Sequence, residues 1–301
     1  MRQARIAVLG SANMDLVATA PAFPRPGETV LGSDFVMLPG GKGANQATAA
    51  ARAGGAATLL GAVGSDSFGV TLTARLRASG VDTSRLRVVY GTSGVALITV
   101  TTAGENAIVV TPGANAAFTA LSPDELAIIE GADVLVAQLE IPLETVLAAA
   151  TAARGAGVRV ILNAAPATEL PAELTALVDL LVVNEREAAA ISGHGREDPA
   201  ALLSAVPRAL LTAGADGAWY AARDEPVRRI PPVRVDPIDT TGAGDAFTGA
   251  LAVAWAEGRD PVDAAHWAAA AGAACARRLG TSVAMPDRAE IDALYRPPGT
   301  P

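Results

Sequence analysis

Residues 239–245, with the sequence Asp-Thr-Thr-Gly-Ala-Gly-Asp, contain the side chain best suited to catalysis, the carboxylate of Asp245. The residues that follow are apolar at helical spacing, so Gly242 and Gly244 are predicted to lie where a loop enters a helix. The unpaired N–H groups and the dipole of a helix N-terminus attract an anion, and glycine lets a ligand approach the backbone. Asp245 at the mouth of such a site could take a proton from an attacking hydroxyl. The alternative is a glycine-rich turn in which Asp245 only caps the helix.

A second glycine-rich segment, residues 39–47 with the sequence Pro-Gly-Gly-Lys-Gly-Ala-Asn-Gln-Ala, is predicted to open an Ala-rich helix that ends near residue 53. Its spacing is not that of a phosphate-binding P-loop, because Gly43 follows the lysine. Lys42 is the only lysine among 23 basic residues, and the rest are arginines. A single ammonium in such a chain suggests a site that a guanidinium would not fit, although one occurrence is compatible with chance.

The elements that must position these loops alternate between strand and helix. Buried strands are predicted at residues 6–10, 57–63, 134–138, 158–162, 180–183, 208–212 and 217–221, and helices at 66–79, 122–130 and 143–154. A strand is predicted to end at residues 233–235, before helices at 243–257, 261–279 and 287–294. This order predicts one α/β domain over residues 1–301, with a doubly wound, mostly parallel sheet and helices on both faces.

Two further segments are predicted to form strands outside the main sheet. Residues 16–20 and 29–38 alternate weakly and are separated by prolines, and residues 95–100 and 107–111 read as a hairpin. We therefore expect residues 14–39 and about 94–111 to contribute to a small β-sheet lid.

Several polar side chains follow directly on the predicted strands. Ligands of doubly wound sheets bind at the carboxyl ends of the strands. We therefore expect these side chains and the loop before Asp245 to meet at one edge of the sheet. They are Asn13, Asp15, Glu140 and Asn184.

Composition narrows the classes of partner. The net charge of −8 and the absence of a basic stripe argue against nucleic acid as a partner. No run of about 18 apolar residues is free of polar residues, Gly and Pro, so we expect no membrane span. The single cysteine, Cys275, excludes an internal disulfide and fits a reducing, cytoplasmic compartment.

The two glycine-rich segments together resemble the signatures of the ribokinase family of carbohydrate kinases. Three shorter strings that stand between them in the expected order strengthen the resemblance, which covers essentially the full length. They are Pro-Gly-Ala-Asn at 112–115, Gln-Leu-Glu-Ile-Pro at 138–142 and Asn-Glu-Arg-Glu at 184–187.

This resemblance implies phosphoryl transfer from ATP to the primary hydroxyl of ribose, with Asp245 as the base and the backbone of Gly242, Ala243 and Gly244 as the anion hole. The implied sugar ligands are Asn13, Asp15, Gly41, Lys42, Gly43, Asn45, Glu140 and Asp245 itself. The implied nucleotide ligands are Asn184, Thr212, Gly214, Gly217 and Gly244. Glu187 is expected to hold Mg²⁺ through water, and the lid is expected to pair in a homodimer.

The resemblance also implies a K⁺ site beside the anion hole, made mostly of backbone carbonyls. Its elements here are Asp239, Thr241, Cys275, Arg278, Gly280 and Ala284. The last position is commonly a serine in the family, and Ala284 has no hydroxyl to offer. We therefore expect the site to persist but to bind K⁺ more weakly.

Other interpretations stay open at the level of sequence. A kinase for another pentose such as deoxyribose is the nearest rival, and a nucleoside kinase fits the first signature less well. A sugar-binding module without catalysis is the rival from another class, although Asp245 and both glycine loops are intact. A Rossmann dehydrogenase is disfavoured, because residues 10–13 do not begin a G-x-G-x-x-G motif.

Overall fold

The computed structural model describes residues 2–193 and 198–299. Within these ranges the strands are β1 (Arg5–Leu9), β2 (Asn13–Ala20), β3 (Asp34–Gly40), β4 (Ala56–Gly64), β5 (Leu86–Val89), β6 (Gly94–Thr101), β7 (Asn106–Thr111), β8 (Val134–Ala137), β9 (Arg159–Asn163), β10 (Leu180–Asn184), β11 (Arg208–Thr212), β12 (Ala218–Ala222) and β13 (Arg228–Ile230). The α-helices are α1 (Lys42–Arg52), α2 (Ser67–Ala78), α3 (Pro123–Gly131), α4 (Leu143–Gly155), α5 (Ala172–Thr175), α6 (Glu185–Ser192), α7 (Ala243–Ala256), α8 (Pro261–Cys275) and α9 (Arg288–Leu294).

Nine strands form the main sheet in the order β13-β12-β11-β10-β9-β8-β1-β4-β5. All neighbouring pairs from β11 to β5 are parallel, and β12 and β13 add an antiparallel edge. The order runs outward from β1 in both directions, which is the doubly wound arrangement. The predicted fold class is confirmed.

Both faces of the main sheet are buried. Successive residues of a strand point to opposite sides, so each strand contributes side chains to both cores. Ile6 and Val8 of β1 pack into one core with helices α1, α7 and α8. Ala7 and Leu9 of the same strand pack into a second core with α3 and α4. Near-continuous apolar strands are typical of a parallel sheet covered by helices on both sides.

A separate four-stranded sheet has the order β3-β2-β6-β7. It joins the segments that the sequence predicted to leave the main sheet. Strand β2 pairs antiparallel with β3 and parallel with β6, and β6 and β7 form the predicted hairpin. The second sheet therefore begins at Asn13, only a few residues after the end of β1.

Several predicted boundaries are wrong, and the strand predicted at 16–20 begins earlier, at Asn13. Residues 233–235 are not in a strand, since Pro231, Pro232 and Pro237 flank them and supply no N–H for a ladder. The strand predicted at 29–38 begins only at Asp34. The helix predicted at 261–279 ends at Cys275, where the Ala276 carbonyl instead accepts the N–H groups of residues 238 and 239.

In the described part of the chain, no helix combines the length and apolarity that crossing a bilayer requires.

Candidate active site

Asp245 lies in the first turn of α7 and is 8% exposed. It does not cap the helix, because the N-cap is Gly242, with a φ of 80° and no side-chain cap. Its two oxygens instead accept hydrogen bonds of 2.9 Å each, Oδ2 from Asn45 Nδ2 and Oδ1 from Gln46 Nε2. Burial, the largest influence, raises the pKa of Asp245 although Lys42 and the two amides oppose it. A carboxylate with a raised pKa is a stronger base.

Close packing of α1 against α7 brings these amides to Asp245. Gly249 of α7 lies so close to α1 that an added Cβ would stand 2.5 Å from the Ala49 Cβ. At the start of α1, Gly43 lies against the backbone of Gly10, and Gly41 has a φ of 89°. The glycines of the second signature therefore serve helix placement as well as ligand access.

A cavity of about 210 Å³ opens in front of Asp245. Predicted site residues that line it are Lys42, Asn184, Glu187, Thr212, Gly242, Gly244 and Asp245. Asn163, Ala165 and Val182 line it as well and were not predicted. Two signatures about 200 residues apart in the chain thus meet in one space, at the carboxyl ends of parallel strands.

Lys42 is a cation in this cavity. Burial alone would lower its pKa, but the carboxylates of Asp245, Glu140 and Glu187 raise it, and the net shift is upward. The ammonium therefore balances part of the negative charge that surrounds Asp245.

Asn13 and Asp15 are residues one and three of β2, so both side chains point to the same face. Asn13 Oδ1 accepts a 2.7 Å hydrogen bond from Asn115 Nδ2, which fixes the direction of the Asn13 amide. Burial first, and then Glu140 and Asp245, raise the pKa of Asp15 to about 7. Gly40 on β3 leaves room for this carboxylate, since a Cβ there would overlap it.

Glu140 follows β8 and reaches the start of α1. Its Oε2 accepts from the Lys42 backbone N–H at 3.0 Å and from the Ser11 hydroxyl. It therefore stabilises the N-terminus of α1, as an anion at that end of a helix does. Nearby, the Asn45 Oδ1 is buried and has no hydrogen-bond partner among the described residues. A ligand hydroxyl could supply the missing donor.

Asn184 and Glu187 form a capping box at the start of α6. The Asn184 side chain accepts from the Glu187 N–H at 2.9 Å, and Glu187 Oε2 accepts from the Asn184 N–H at 2.8 Å. Glu187 is 7% exposed, and burial raises its pKa, opposed mainly by the Asn184 N–H and by Lys42. The two residues have a structural role in the helix and also line the cavity.

Thr212 ends β11, and its hydroxyl donates to the Val183 carbonyl at 3.2 Å. Gly214 begins the short turn Gly214–Asp216 and Gly217 follows it, with φ values of 52° and 91°. A Cβ on Gly217 would overlap the Ile230 carbonyl, whereas the position of Gly214 is open. Only Thr212 of these three lines the cavity.

The residues predicted for a cation lie together behind the anion loop. Asp239 Oδ1 accepts from the Thr241 N–H and Oδ2 from the Gly280 N–H, both at 2.9 Å. Burial by itself raises the pKa of Asp239, but these hydrogen bonds bring it below its usual range. Arg278 pairs instead with Glu290. Ala284 and Cys275 are fully buried in a small apolar cluster with Ala49, Ala246 and Met285.

Within residues 2–193 and 198–299, no group of three or more His, Cys, Asp or Glu side chains could hold a metal ion.

A buried layer of amides behind Asp245 was not predicted from the sequence. Gln46 and Gln138 lie within the motifs at 39–47 and 138–142, and Asn163 follows directly on the strand predicted at 158–162, which is the signal that marked Asn184. A buried amide network depends on residues far apart in the chain, so periodicity and spacing do not reveal it.

Comparison with known proteins agrees with this geometry. The family described as pfkB family carbohydrate kinase matches residues 3–288. A ribokinase of Bacillus subtilis is 41% identical over 96% of this chain and 98% of its own length. A ribokinase of Haemophilus influenzae is 37% identical over 95% of this chain and 96% of its own.

Among solved structures, an Arabidopsis thaliana ribokinase complexed with ribose and ATP superposes with a TM-score of 0.92 at 31% identity. It covers 97% of this chain, which covers 99% of it in turn. The matched family, the near full-length identity and the shared fold lead to one assignment: the chain belongs to the pfkB family of carbohydrate kinases.

Proposed function

We propose that this protein is an ATP-dependent kinase that phosphorylates the 5-hydroxyl of D-ribose to give ribose 5-phosphate. The observation that carries the proposal is the buried Asp245 carboxylate, held by two amides at the N-terminus of α7 and facing a polar cavity. The ribokinase names of the relatives, and the ribose and ATP in the Arabidopsis structure, support the choice of substrates.

The sugar would bind on the side of the cavity next to the second sheet. Asn13 and Asp15 belong to that sheet, and Gly41, Lys42, Gly43, Asn45 and Glu140 approach from α1 and the loop after β8. A pentose presents several hydroxyls that each donate and accept, and carboxylates with oriented amides match such groups.

The nucleotide would bind across Asn184, Thr212, Gly214 and Gly217, with its γ-phosphate at the backbone of Gly242, Ala243 and Gly244. Asp245 accepts the proton of the sugar hydroxyl while that oxygen forms a bond to the γ-phosphorus. The bond from phosphorus to the bridging oxygen breaks, and ADP leaves with that electron pair. The N–H groups of α7 stabilise the negative charge on the transferring group.

Magnesium fits the oxygen donors near Asn184. Both oxygens of Glu187 already accept one hydrogen bond each from Asn184, which favours contact with the ion through water. When bound, Mg²⁺ would neutralise charge on the phosphates. Asn184 and Glu187 would hold the ion through its waters.

Potassium fits the loop behind the anion hole. Asp239 supplies an ionised carboxylate with a lowered pKa, and the remaining donors would be backbone carbonyls near Thr241, Cys275, Arg278, Gly280 and Ala284. Such a cation would order the loop that leads to Gly242.

The second sheet is proposed as a lid over the sugar and as the dimer contact. Its register sets Met37, Leu16, Leu97 and Val109 side by side across all four strands. Three of these side chains are about half exposed or more, and such an apolar edge sheet is a liability for a monomer. We expect the enzyme to act in the cytoplasm, where Cys275 stays reduced.

An ADP-release screen over pentoses, hexoses and nucleosides tests the proposal. We expect the highest kcat/KM with ribose. Deoxyribose should fall about 10- to 100-fold, because a buried polar group would lose its partner at a cost of about 1–3 kcal/mol. Equal efficiency with deoxyribose would overturn the ribose assignment, and no ADP with any sugar would favour a binding module.

A further inference from the structure

A chain of three buried amides stands behind Asp245. Gln46 Nε2 donates both to Asp245 Oδ1 and to Asn163 Oδ1, each at 2.9 Å. Gln46 Oε1 in turn accepts from Gln138 Nε2 at 2.6 Å. Gln46 and Gln138 are fully buried, and Asn163 is 9% exposed. Every donor and one acceptor position of the Gln46 amide is therefore occupied.

Asp245 and the two outer amides together determine which way Gln46 faces. Asn163 Nδ2 donates to the Val182 carbonyl at 3.1 Å, so its Oδ1 is turned toward Gln46. If the Gln46 amide rotated by half a turn, its oxygen would oppose two other acceptor oxygens, those of Asp245 and Asn163. No proton would lie between them, and the Gln46 NH₂ would meet the donor of Gln138.

Gln138 holds this position at a cost to itself. Its Oε1 is buried with no hydrogen-bond partner among the described residues. Gly10, in the loop after β1, leaves space for this oxygen, because a Cβ at position 10 would overlap it. A buried amide oxygen without a partner destabilises a fold, which calls for a compensating role elsewhere.

Taking Asp245 as the base of the proposed kinase reaction, we propose that Gln138 and Asn163 are positioning residues that hold the Gln46 amide toward Asp245 and so fix the orientation of the catalytic carboxylate. The hydrogen bonds to Asp245 come from Asn45 and Gln46, and Gln138 and Asn163 are linked to it through Gln46. We expect their effect to pass through Gln46.

The electrostatics of the site give the proposal a measurable consequence. Burial raises the pKa of Asp245, and the Gln46 hydrogen bond opposes that rise. Loss of the donor should raise the pKa further, so kcat should begin to fall at a higher pH as the medium is acidified. The other titratable groups that act on Asp245, or that it acts on, are unchanged in such variants. They are Lys42, Glu140, Asp15, Glu187 and Cys275.

A double-mutant cycle in the full-length enzyme tests the arrangement. Gln138→Met should lower kcat about 10-fold with little change in the KM for ribose, and should move the acid limb of kcat to higher pH. In a Gln46→Met background the same change should cost less than about 2-fold, because the residue through which it acts is gone. Asn163→Leu is the second variant and should behave like Gln138→Met.

Thr145→Val is the matched control, since the buried Thr145 hydroxyl donates to the Phe118 carbonyl at 2.7 Å, outside this network. It should reduce the melting temperature without moving the pH profile. The proposal is overturned if both outer variants leave the pH profile in place. It is also overturned if Gln138→Met lowers kcat by the same factor in the Gln46→Met background as in the wild type.

A measurement without substrate separates this proposal from the proposed function. The ¹³C resonance of the Asp245 carboxyl, assigned by its loss in Asp245→Asn, reports the titration of that group directly. Gln138→Met and Asn163→Leu should each shift its midpoint to higher pH, and an unchanged midpoint contradicts the positioning role. Failure of the wild type to phosphorylate ribose would instead overturn only the function.

Discussion

At the scale of single residues, Asp245 combines what a base needs: burial, two amide donors and a nearby cation. Asp245→Asn preserves the size of the side chain but removes its ability to accept the proton. We expect kcat to fall by about 10²–10⁴-fold with the fold intact. Initial rates of ADP release, read beside a thermal melt, check this.

The control for that variant is Asp224→Asn. Asp224 is exposed, and its φ of 64° is a conformation that asparagine tolerates. It should retain full activity. Turnover near the wild-type value in Asp245→Asn, with an unchanged melt, would show that another group takes the proton.

Asp15 carries a cost to stability that depends on pH. Its pKa is about 7 in the folded chain against an ordinary value of 3.8, chiefly because of burial. A raised carboxyl pKa favours the folded state while the group is protonated. Relative to the ionised form, protonated Asp15 stabilises the folded state. This contribution is complete below about pH 4 and is lost as the pH rises toward 7.

Asp15→Asn should therefore stabilise the enzyme at pH 8, while weakening ribose binding. The upper limit of the gain is about 4 kcal/mol, at 1.4 kcal/mol for each unit of pKa shift. Urea unfolding at pH 8 and pH 5 without ligand measures it, and the gain should shrink at pH 5. A variant that is less stable than wild type at pH 8 would contradict the claim that ionised Asp15 destabilises the folded state.

At the scale of elements, the loop before α7 depends on the segment from Cys275 to Ala284 that supports it. Ala284→Ser would add a hydroxyl at the position where the proposed K⁺ site has none. We expect K⁺ to activate the enzyme, and the variant to lower the K⁺ concentration needed for half activation. The rate against KCl, at constant ionic strength in buffer free of sodium and potassium, gives both values.

Ala49→Ser adds the same hydroxyl to the same apolar cluster from α1 and should leave the K⁺ response unchanged. Full activity without any monovalent cation, indifferent to added K⁺, would rule out the site. If the K⁺ concentration for half activation is the same in wild type and Ala284→Ser, the missing hydroxyl has no role.

The long buried elements could be predicted from sequence, because their apolar periodicity reflects the two cores directly. The short edge strands β5 and β13 could not, since they carry arginines and owe their pairing to neighbours distant in the chain. The glycine loops identified the helix entries and Asp245. What they could not give was the orientation of that carboxylate, which depends on Asn45, Gln46 and the amides behind them.

At the scale of the whole molecule, two sheets meet at the proposed sugar side of the site, and the smaller one exposes an apolar row. Val109 in that row is 62% exposed. Val109→Lys should convert the proposed dimer to a monomer, because the charge would have to be buried in the contact. Light scattering at micromolar concentration measures the mass.

Val227→Lys changes another exposed valine, near β13 and away from the second sheet, and should remain dimeric. A wild-type protein that is monomeric and fully active would exclude the dimer. A Val109→Lys variant that stays dimeric would place the contact elsewhere.

The central claim is that this site transfers the γ-phosphoryl group of ATP to the 5-hydroxyl of ribose. The most direct measurement incubates the wild-type enzyme with ATP, Mg²⁺, K⁺ and either ribose or 5-deoxyribose, and identifies the products by phosphorus NMR. We expect one ADP for each ribose consumed, with the phosphate on O5, and no ADP above background with 5-deoxyribose. Phosphate on another ribose oxygen, or equal ADP release from 5-deoxyribose, would contradict the account.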